Sequence, residues 1–571
     1  MSRARRWQVA ARDAAADELA AALGVSGLLG RLLINRGVAD PARAASFLGA
    51  RLDEHLRSPM LFRDMAAASA RLADALQRGE QIGIYGDYDV DGVSGSALLV
   101  RFLRAVGARP DPAVYIPHRL RDGYGLNAAA LERLAAAGVR VLVTVDCGAV
   151  SHAEIALAQS RGMDVIVCDH HQVAATRPPA FAVLNPIEPD AGFPFSGLCG
   201  TGVAFYLALG VRMRLRERGG VVPDLRRELD LVALGTLADM VPLVEENRVL
   251  VKYGLRELQN STRPGVSALR RVAGVARLSS GAVGFRLAPR LNAGGRLDDA
   301  MRSVELLTTD DLARAEHLAV ALDDENRARQ AIEREMLDEA LTAVAASGGA
   351  GERRTIVLAS PNFHPGVVGI VAARLVERYH RPTILIAAES GGIGRGSGRS
   401  IAGVDLFAAL TSCRDALERF GGHRMAAGLS IRLERVPELA SRFEAVIASQ
   451  TSIEDFVPRL RADGELSLRD VNTGCVEDLG RLEPYGIGNP EPVFLARDVV
   501  VRQRRIVGEQ HLKVVVEQHG RLLPAIGFGM SDEAIAIGDR LDILFGVMTN
   551  EWNDNVSVEL RLRDVRPYQP A

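Results

Sequence analysis

Between residues 80 and 190 the chain alternates short, unbroken apolar runs with Ala-rich stretches of helical spacing: 82–85 then 96–105, 141–145 then 152–159, and finally 165–168. Strands buried on both faces read as continuous apolar runs, and their alternation with helices marks βαβ units. An α/β domain on a parallel sheet is predicted here. Residues 310–345 then form one charged stretch in which Leu318, Leu322, Ile332 and Met336 make a patchy apolar stripe, predicting a long helix that bridges domains. It ends at Ala346-Ser-Gly-Gly-Ala-Gly351, a flexible composition. A second α/β pattern runs through 355–358, 367–375 and 383–386. Beyond 455 the apolar runs are short and turn-bounded (499–502, 513–517, 541–547, 556–562), which predicts a small β-barrel or sandwich.

These changes of texture divide the chain into a helical lead-in (1–50), a first α/β domain (51–309), the bridging helix and its linker (310–350), a smaller α/β domain (351–454) and a β domain (455–571). A length of 571 residues requires such a division, because single cores stop growing well before that size. The formal net charge of −2 carries no signature of a nucleic-acid binder, so any affinity for phosphates must come from a local basic groove. Five scattered cysteines without a CxxC pair fit free thiols in a reducing cytoplasm. The basic N-terminus lacks a following apolar core, and no run of about 18 apolar residues occurs. A cytoplasmic chain with no membrane partner is expected.

The acids and histidines fall where the apolar runs stop. Residues 83–85 lead into Asp87-Tyr-Asp89-Val-Asp91, residues 141–145 into Asp146, and residues 165–168 into Asp169-His170-His171. Asp239 closes a fourth apolar stretch. In open α/β sheets ligands bind beyond the carboxyl ends of the strands, so these groups should converge. Carboxylates crowded in one crevice repel unless cations neutralise them, and oxygen ligands with a minority of imidazole suit Mg²⁺ or Mn²⁺ rather than structural Zn²⁺. Two such ions suit hydrolysis at phosphorus. A calcium loop starting at Asp87 is excluded, because its twelfth position is Leu98 instead of a bidentate Glu. Taken singly, Asp146 reads as a turn or cap residue and His170-His171 as a surface pair; their joint placement at successive strand ends makes them a site.

Asp89-x-Asp91, Asp146, Asp169-His170-His171 and Gly235-x-x-Ala-Asp239 resemble the ordered motifs of the DHH phosphoesterase superfamily. The fuller Tyr85-Gly-Asp-Tyr-Asp-Val-Asp-Gly92 resembles its RecJ branch, and the likeness continues through Pro289 to Arg296, Asn326-x-x-Arg329-Gln330, His364-Pro-Gly366, Gly394 to Ser400, Gly421-Gly-His423 and Pro484 to Pro492. The resemblance implies a parallel-sheet DHH domain, a bridging helix, a DHH-associated substrate-binding domain and a C-terminal OB-fold barrel. It implies two Mn²⁺ or Mg²⁺ ions, one on Asp89 and Asp146, the other on Asp91, Asp146, His170 and Asp239. Smaller DHH enzymes place a His at the position of Tyr85, so here the first ion would be held through water or Asp87. Asp87, Asp146 and His171 are the implied catalytic groups, His171 meeting the scissile phosphate. Ser397 and Arg399 would anchor a 5′ end, with Arg119, Arg290, Asn292, His364 and His423 as further substrate contacts.

Gly394 to Ser400, read as a loop, offers alternating Gly, Ser and Arg and hence N–H groups, a hydroxyl and guanidinium forks for one anion. His364 opens a turn before a helix, where an anion can bind. Arg502, Arg504, Arg505, Lys513 and Arg521 with Phe494, Phe528 and Trp552 fit a strand platform for single-stranded nucleic acid. The expected activity is 5′→3′ hydrolysis of single-stranded DNA in recombination and repair, by a monomer served by a helicase and a single-strand-binding protein. The alternative is a DHH phosphodiesterase or pyrophosphatase acting on short oligonucleotides or small phosphate esters, for which neither the long helix nor the β domain is needed.

Overall fold

A computed structural model describes residues 5–119, 121–297, 299–349, 351, 353–552 and 555–570, with the side chains of 550–556 left aside. The chain forms two compact units: Met1–Leu56, Pro242–Lys252 and Pro458–Ala571 make one, Arg57–Val241 and Tyr253–Val457 the other.

The larger unit holds two sheets. In the first, five parallel strands run in the spatial order Ala113–Tyr115, Gln81–Gly86, Val139–Val145, Asp164–Cys168, Ala182–Leu184. Val139–Val145 is buried throughout except Arg140, as a central strand covered on both faces must be. Helices Ala128–Ala136 and His152–Ser160 close one face over Tyr85, Leu142, Val165 and Val167. Helices Met65–Arg78, Val90–Ala105 and Gly200–Glu217 take the other, where Gly95 lies so close to Val145 that a Cβ would sit 2.6 Å from its Cγ1. The chain leaves Gln81–Gly86 toward one neighbour and returns to pair on its other side. That reversal opens a crevice at the carboxyl ends of Gln81–Gly86 and Val139–Val145.

Helix Leu312–Ala346 packs against Pro264–Ala273 and Ala288–Leu297 in the first half of the unit and against Val368–Tyr379 in the second. Its Met336, Ala340 and Val344 enter the core of Phe363, Val371, Leu375 and Leu385. The second sheet runs Arg419–Gly422, Ala426–Arg432, Ile393–Arg399, Thr383–Ala388, Ile356–Ser360. The glycine–arginine stretch expected as a loop is therefore a central strand, antiparallel to both neighbours. Its period of two explains this: a Cβ at Gly394, Gly396 or Gly398 would come within 2.5–2.9 Å of Ile386, Leu429 or Leu406. Glycine lets that face pack flat, and Arg395, Ser397 and Arg399 share the opposite one.

In the smaller unit, Phe494–Val507, His511–Gln518, Arg521–Gly527, Asn555–Pro567 and Arg540–Trp552 follow one another around a barrel that closes back onto Phe494–Val507. Strand order 1-2-3-5-4-1, with a parallel 3–5 pair, is that of an OB-fold. Residues expected as a separate lead-in belong to this unit. Leu29, Leu32, Leu33 and Phe47 share one core with Leu468, Leu479, Phe494 and Phe545, and Arg6–Val9 pairs with Arg459–Ala462. Short amphipathic helices have no other surface against which to bury these leucines. Phe494, expected on the outer platform, is fully buried in that core against Phe545. Arg502 and Lys513 are paired with Glu517 and Glu559, and the side chain of Trp552 lies outside the described residues.

Candidate metal centre

Each strand that ends in an acid is continued by one backbone hydrogen bond to its neighbour. Asp87 N–H donates to the Val145 carbonyl (3.1 Å), Asp146 N–H to Cys168 (2.8 Å) and Asp169 N–H to Leu184 (3.1 Å). The ladder thus delivers three carboxylates to one rim. Asp146 turns there in left-handed backbone (φ 64°), a conformation rare outside Gly and Asn. Gly200 approaches it so closely that a Cβ would lie 2.6 Å from the Asp146 Cβ, and a Cβ at Gly235 would lie 2.7 Å from Asp91 Oδ1. These two glycines leave room for the acids.

Asp89 caps helix Val90–Ala105, its Oδ1 accepting from Asp91 and Gly92 N–H. Asp91 accepts from Gly200 N–H (2.6 Å) and Thr201 N–H (2.9 Å), at the N-terminus of helix Gly200–Glu217, where a negative charge is favoured. Asp239 instead stands at the C-cap of Leu229–Ala238, an unfavourable end for an acid. His170 Nε2 faces three carboxylates: Asp146 Oδ1 at 3.0 Å, Asp239 Oδ2 at 3.6 Å and Asp91 Oδ2 at 3.7 Å. Ligand-capable atoms of Asp87, Asp89 and Asp146, and of Asp91, His170 and Asp239, each lie within 4.8 Å of one another.

Electrostatics describe a site short of positive charge. Burial, then Asp89, raises the Asp87 carboxyl well above its usual range; burial and Asp91 do the same to Asp146, and push Asp239 to about 9. Asp87 Oδ1 is buried without a hydrogen-bond partner. Burial keeps His170 low despite Asp91, so its imidazole is neutral and has a lone pair to give. Burial also disfavours the charged form of His171, but its 2.8 Å bond to Asp169 outweighs that and lifts it to about 9. An unpaired buried carboxylate oxygen, crowded acids and a neutral imidazole are the donor set of a hard divalent cation, and the residues fit such ions.

Further contacts complete the site, those of Asp169, which the strand-end pattern already marked, and those of groups that it did not. Asp169 accepts from the His170, His171 and Ala149 N–H groups as well as the His171 ring, fixing both imidazoles. Its position, first acid after a buried strand, was its signal. The Tyr124 hydroxyl donates to the Asp146 carbonyl (3.2 Å) and lies 3.0 Å from His171 Nδ1; only its neighbourhood to Arg119 in sequence hinted at this. Burial drives the Arg296 guanidinium down to about 9, with Arg119, Arg329 and Arg399 adding to the effect. Burial and Arg119 lower Arg399 likewise. Four guanidinium groups thus gather within electrostatic reach of one another, Arg119 acting also on Asp87 and Arg296 on Asp89, with Arg119 over the Tyr88 ring and Arg399 donating to Ser397 Oγ (3.0 Å).

Other expected contacts are placed differently. Arg290 donates to Asp323 (2.8 Å) and the Arg286 carbonyl, tying two helices together, so the structure does not bring it to the acids. Asn292 Oδ1 accepts from Val90 N–H (3.2 Å), steadying the turn between Asp89 and Asp91. His364 accepts from Gly366 N–H (3.1 Å) within its own turn. His423 stacks on His171 with ring centroids 6.4 Å apart.

Fold and site together define the class: a phosphoesterase-type sheet of the DHH kind, whose N-terminal domain family matches residues 81–236, with the DHHA1 domain matching 353–449. The RecJ OB domain matches residues 462–564. The chain is 39% identical over 569 residues to the single-stranded-DNA-specific exonuclease RecJ of Dickeya dadantii (strain 3937), covering 95% of this chain and 96% of that protein. It is 36% identical to that of Bacillus subtilis (strain 168), covering 98% of this chain and 70% of that one. The crystal structure of RecJ in complex with Mn²⁺ from Thermus thermophilus superposes with a TM-score of 0.85 at 33% identity, covering 99% of this chain and 80% of that one. The chain belongs to the RecJ family. Among the described residues no helix is long and apolar enough to cross a membrane.

Proposed function

We propose that this protein degrades single-stranded DNA from its 5′ end by hydrolysing phosphodiester bonds with two Mn²⁺ or Mg²⁺ ions. The observation that carries it is the buried carboxylate–imidazole cluster, with its unpartnered Asp87 oxygen and with Arg119 and Arg296 in electrostatic reach. Relatives named as single-stranded-DNA-specific exonucleases, and a RecJ solved with Mn²⁺, support the same activity.

Asp89 and Asp146, helped by Asp87, would hold one ion, and Asp91, Asp146, His170 and Asp239 the other. Bound there, the ions would supply a water acidic enough to attack phosphorus and a clamp on its oxygens. His171, oriented by its 2.8 Å bond to Asp169, offers its second ring nitrogen as a donor for the charge that develops on the phosphate. Tyr124 holds the Asp146 carbonyl and borders the His171 ring, which limits how far either can turn. Ser397 and Arg399 anchor the 5′ phosphate, with Arg119 and His423 as neighbouring contacts; Arg290, Asn292 and His364 act through the scaffold. The Ser397 oxygen already accepts from Arg399, which leaves its hydroxyl proton for an anion.

Single strands must be produced by an unwinding reaction and are covered by binding proteins, so a helicase and a single-strand-binding protein are the expected partners in recombination and repair. We place the protein in the cytoplasm as a monomer. The test is end-labelled single-stranded and duplex DNA incubated with Mn²⁺, Mg²⁺ or chelator. Mononucleotides released from the 5′ end of single strands only, and only with metal, are expected; release from the 3′ end or internal cutting would reject the assignment.

A further inference from the structure

In the larger unit a cavity of about 410 Å³ opens between helix Ala288–Leu297, helix Leu312–Ala346 and the start of Val368–Tyr379. Its lining includes Ala238, Phe285, Asn292, Arg296, Arg329 and Ile370. Three of these tie it to the reaction centre. Ala238 immediately precedes Asp239, Asn292 braces the turn between Asp89 and Asp91, and half-buried Arg296 lies within electrostatic reach of Asp89. Arg329, only 8% exposed, is paired with Glu333 (2.7 Å), which also lines the cavity, and donates to Asn326 (3.0 Å), while its Nε is buried without an acceptor. Arg329 is thus held in the cavity wall by Glu333 and Asn326, and Arg296 is the cation left to face a ligand.

Phe285 stands at its rim with 85% of its surface exposed, in a π-helical turn, Val283–Leu287, whose Val283 and Leu287 are fully buried. The turn is pinned at both ends and presents the ring to solvent, where it buries nothing for the fold. Single π-turns recur at functional positions because they re-aim one side chain. An aromatic face beside guanidinium groups is the combination that binds a nucleotide, ring to base and cation to phosphate, and it tolerates every base because each has a π-face. Building on the single-stranded-DNA activity proposed above, we infer that Phe285 stacks a nucleobase of the substrate strand, while Arg296 meets the adjacent phosphate.

The test uses the full chain with Mn²⁺ and 5′-phosphorylated oligothymidylates in which one abasic residue is stepped along the strand from the 5′ end. Wild-type protein should show a raised KM when the abasic residue occupies one particular position. Phe285→Ala should raise KM for the intact strand about tenfold, with kcat little changed, and lose the sensitivity to that position. Phe285→Trp should restore both. A wild-type KM in Phe285→Ala, or a raised KM with the abasic sensitivity retained, would overturn the stacking role. Wild-type protein that shortened no oligonucleotide at all would overturn the nuclease assignment, and this inference with it.

Discussion

At the rim of the parallel sheet, Asp87, Asp146 and Asp239 are buried or nearly so, pushed toward their protonated forms, and one oxygen has no donor. On the barrel most charged side chains lie at the surface, and several are already matched: Arg502 with Glu517, Arg540 with Asp498, and Lys513 with the buried Glu559. Both regions collect like charges, but only the first keeps them out of water without a counterion. Desolvated unpaired charge is costly, whereas exposed pairs contribute about 0–1 kcal/mol. Mutational sensitivity should be steep at the rim and shallow on the barrel, and five variants test that contrast.

The largest effect is expected at Asp146. Asn tolerates the left-handed backbone that this position requires, so Asp146→Asn should fold normally. Turnover should fall by about 10³-fold or more, at or above the upper range seen when one electrostatic stabiliser is removed. In chelator, the same variant should be more stable than wild type, by roughly 0.5–2 kcal/mol, because one member of a repelling cluster is gone. Denaturant melts with and without Mn²⁺ check both. A metal-free variant less stable than wild type would mean that the acids are not in conflict.

Asp169→Asn comes next, with an expected loss of about 10²-fold in kcat. It should also bring the metal-free His171 titration down from about 9 toward the ordinary 6.5, read by NMR of the imidazole. Because the folded-state value is the raised one, the stability from this pair is complete below about pH 6.5 and is lost as pH rises through 9. The variant should lack that alkaline decline. An unshifted His171 would show that some group other than Asp169 holds its proton.

The rim was legible in the sequence for the same reason that it is sensitive. Unbroken apolar runs ending in Asp fix both the strand and the residue at its tip, so Asp87, Asp146, Asp169, His170 and His171 could be placed before any coordinates. Asp239 could be found but not its setting, since an apolar run of that length reads equally as strand or helix, and it closes a helix. Gly394 to Ser400 was misread because glycine usually signals a loop; here the alternation of Gly with Arg and Ser was itself the strand pattern. Contacts made across long separations left no local trace. The pairing of Arg290 with Asp323, the gathering of Arg296 and Arg329 with Arg119 and Arg399, and the burial of Phe494 with the N-terminal leucines all depend on tertiary packing.

Arg399 lies between the two extremes, half-buried and bonded to Ser397 and its own strand. Arg399→Ala should raise KM for 5′-phosphorylated strands by about 10–100-fold, the range of one lost hydrogen bond to a charged group, and affect 5′-hydroxyl strands much less. Equal losses on both would place Arg399 on the strand rather than at its end.

The smallest effects belong to the barrel, and they separate paired from unpaired charge. Arg504 and Arg505 are exposed on Phe494–Val507 and have no acidic partner among the described residues, whereas Arg502 is bonded to Glu517. A cation that binds a phosphate releases counterions, so each contact adds about 0.7 to the slope of log affinity against log salt for a single strand. Replacing both Arg504 and Arg505 with Ala should flatten that slope by up to about 1.4 in fluorescence-anisotropy titrations of oligothymidylate run in chelator. Arg502→Ala should change it little, because Glu517 already neutralises that charge and the variant frees an acid rather than removing a phosphate contact. If Arg502→Ala flattened the slope as much as the double variant, the pairing on the barrel would be broken when DNA binds. The contrast between a rim built on unmet charge and a surface built on matched charge would then hold only for the free protein.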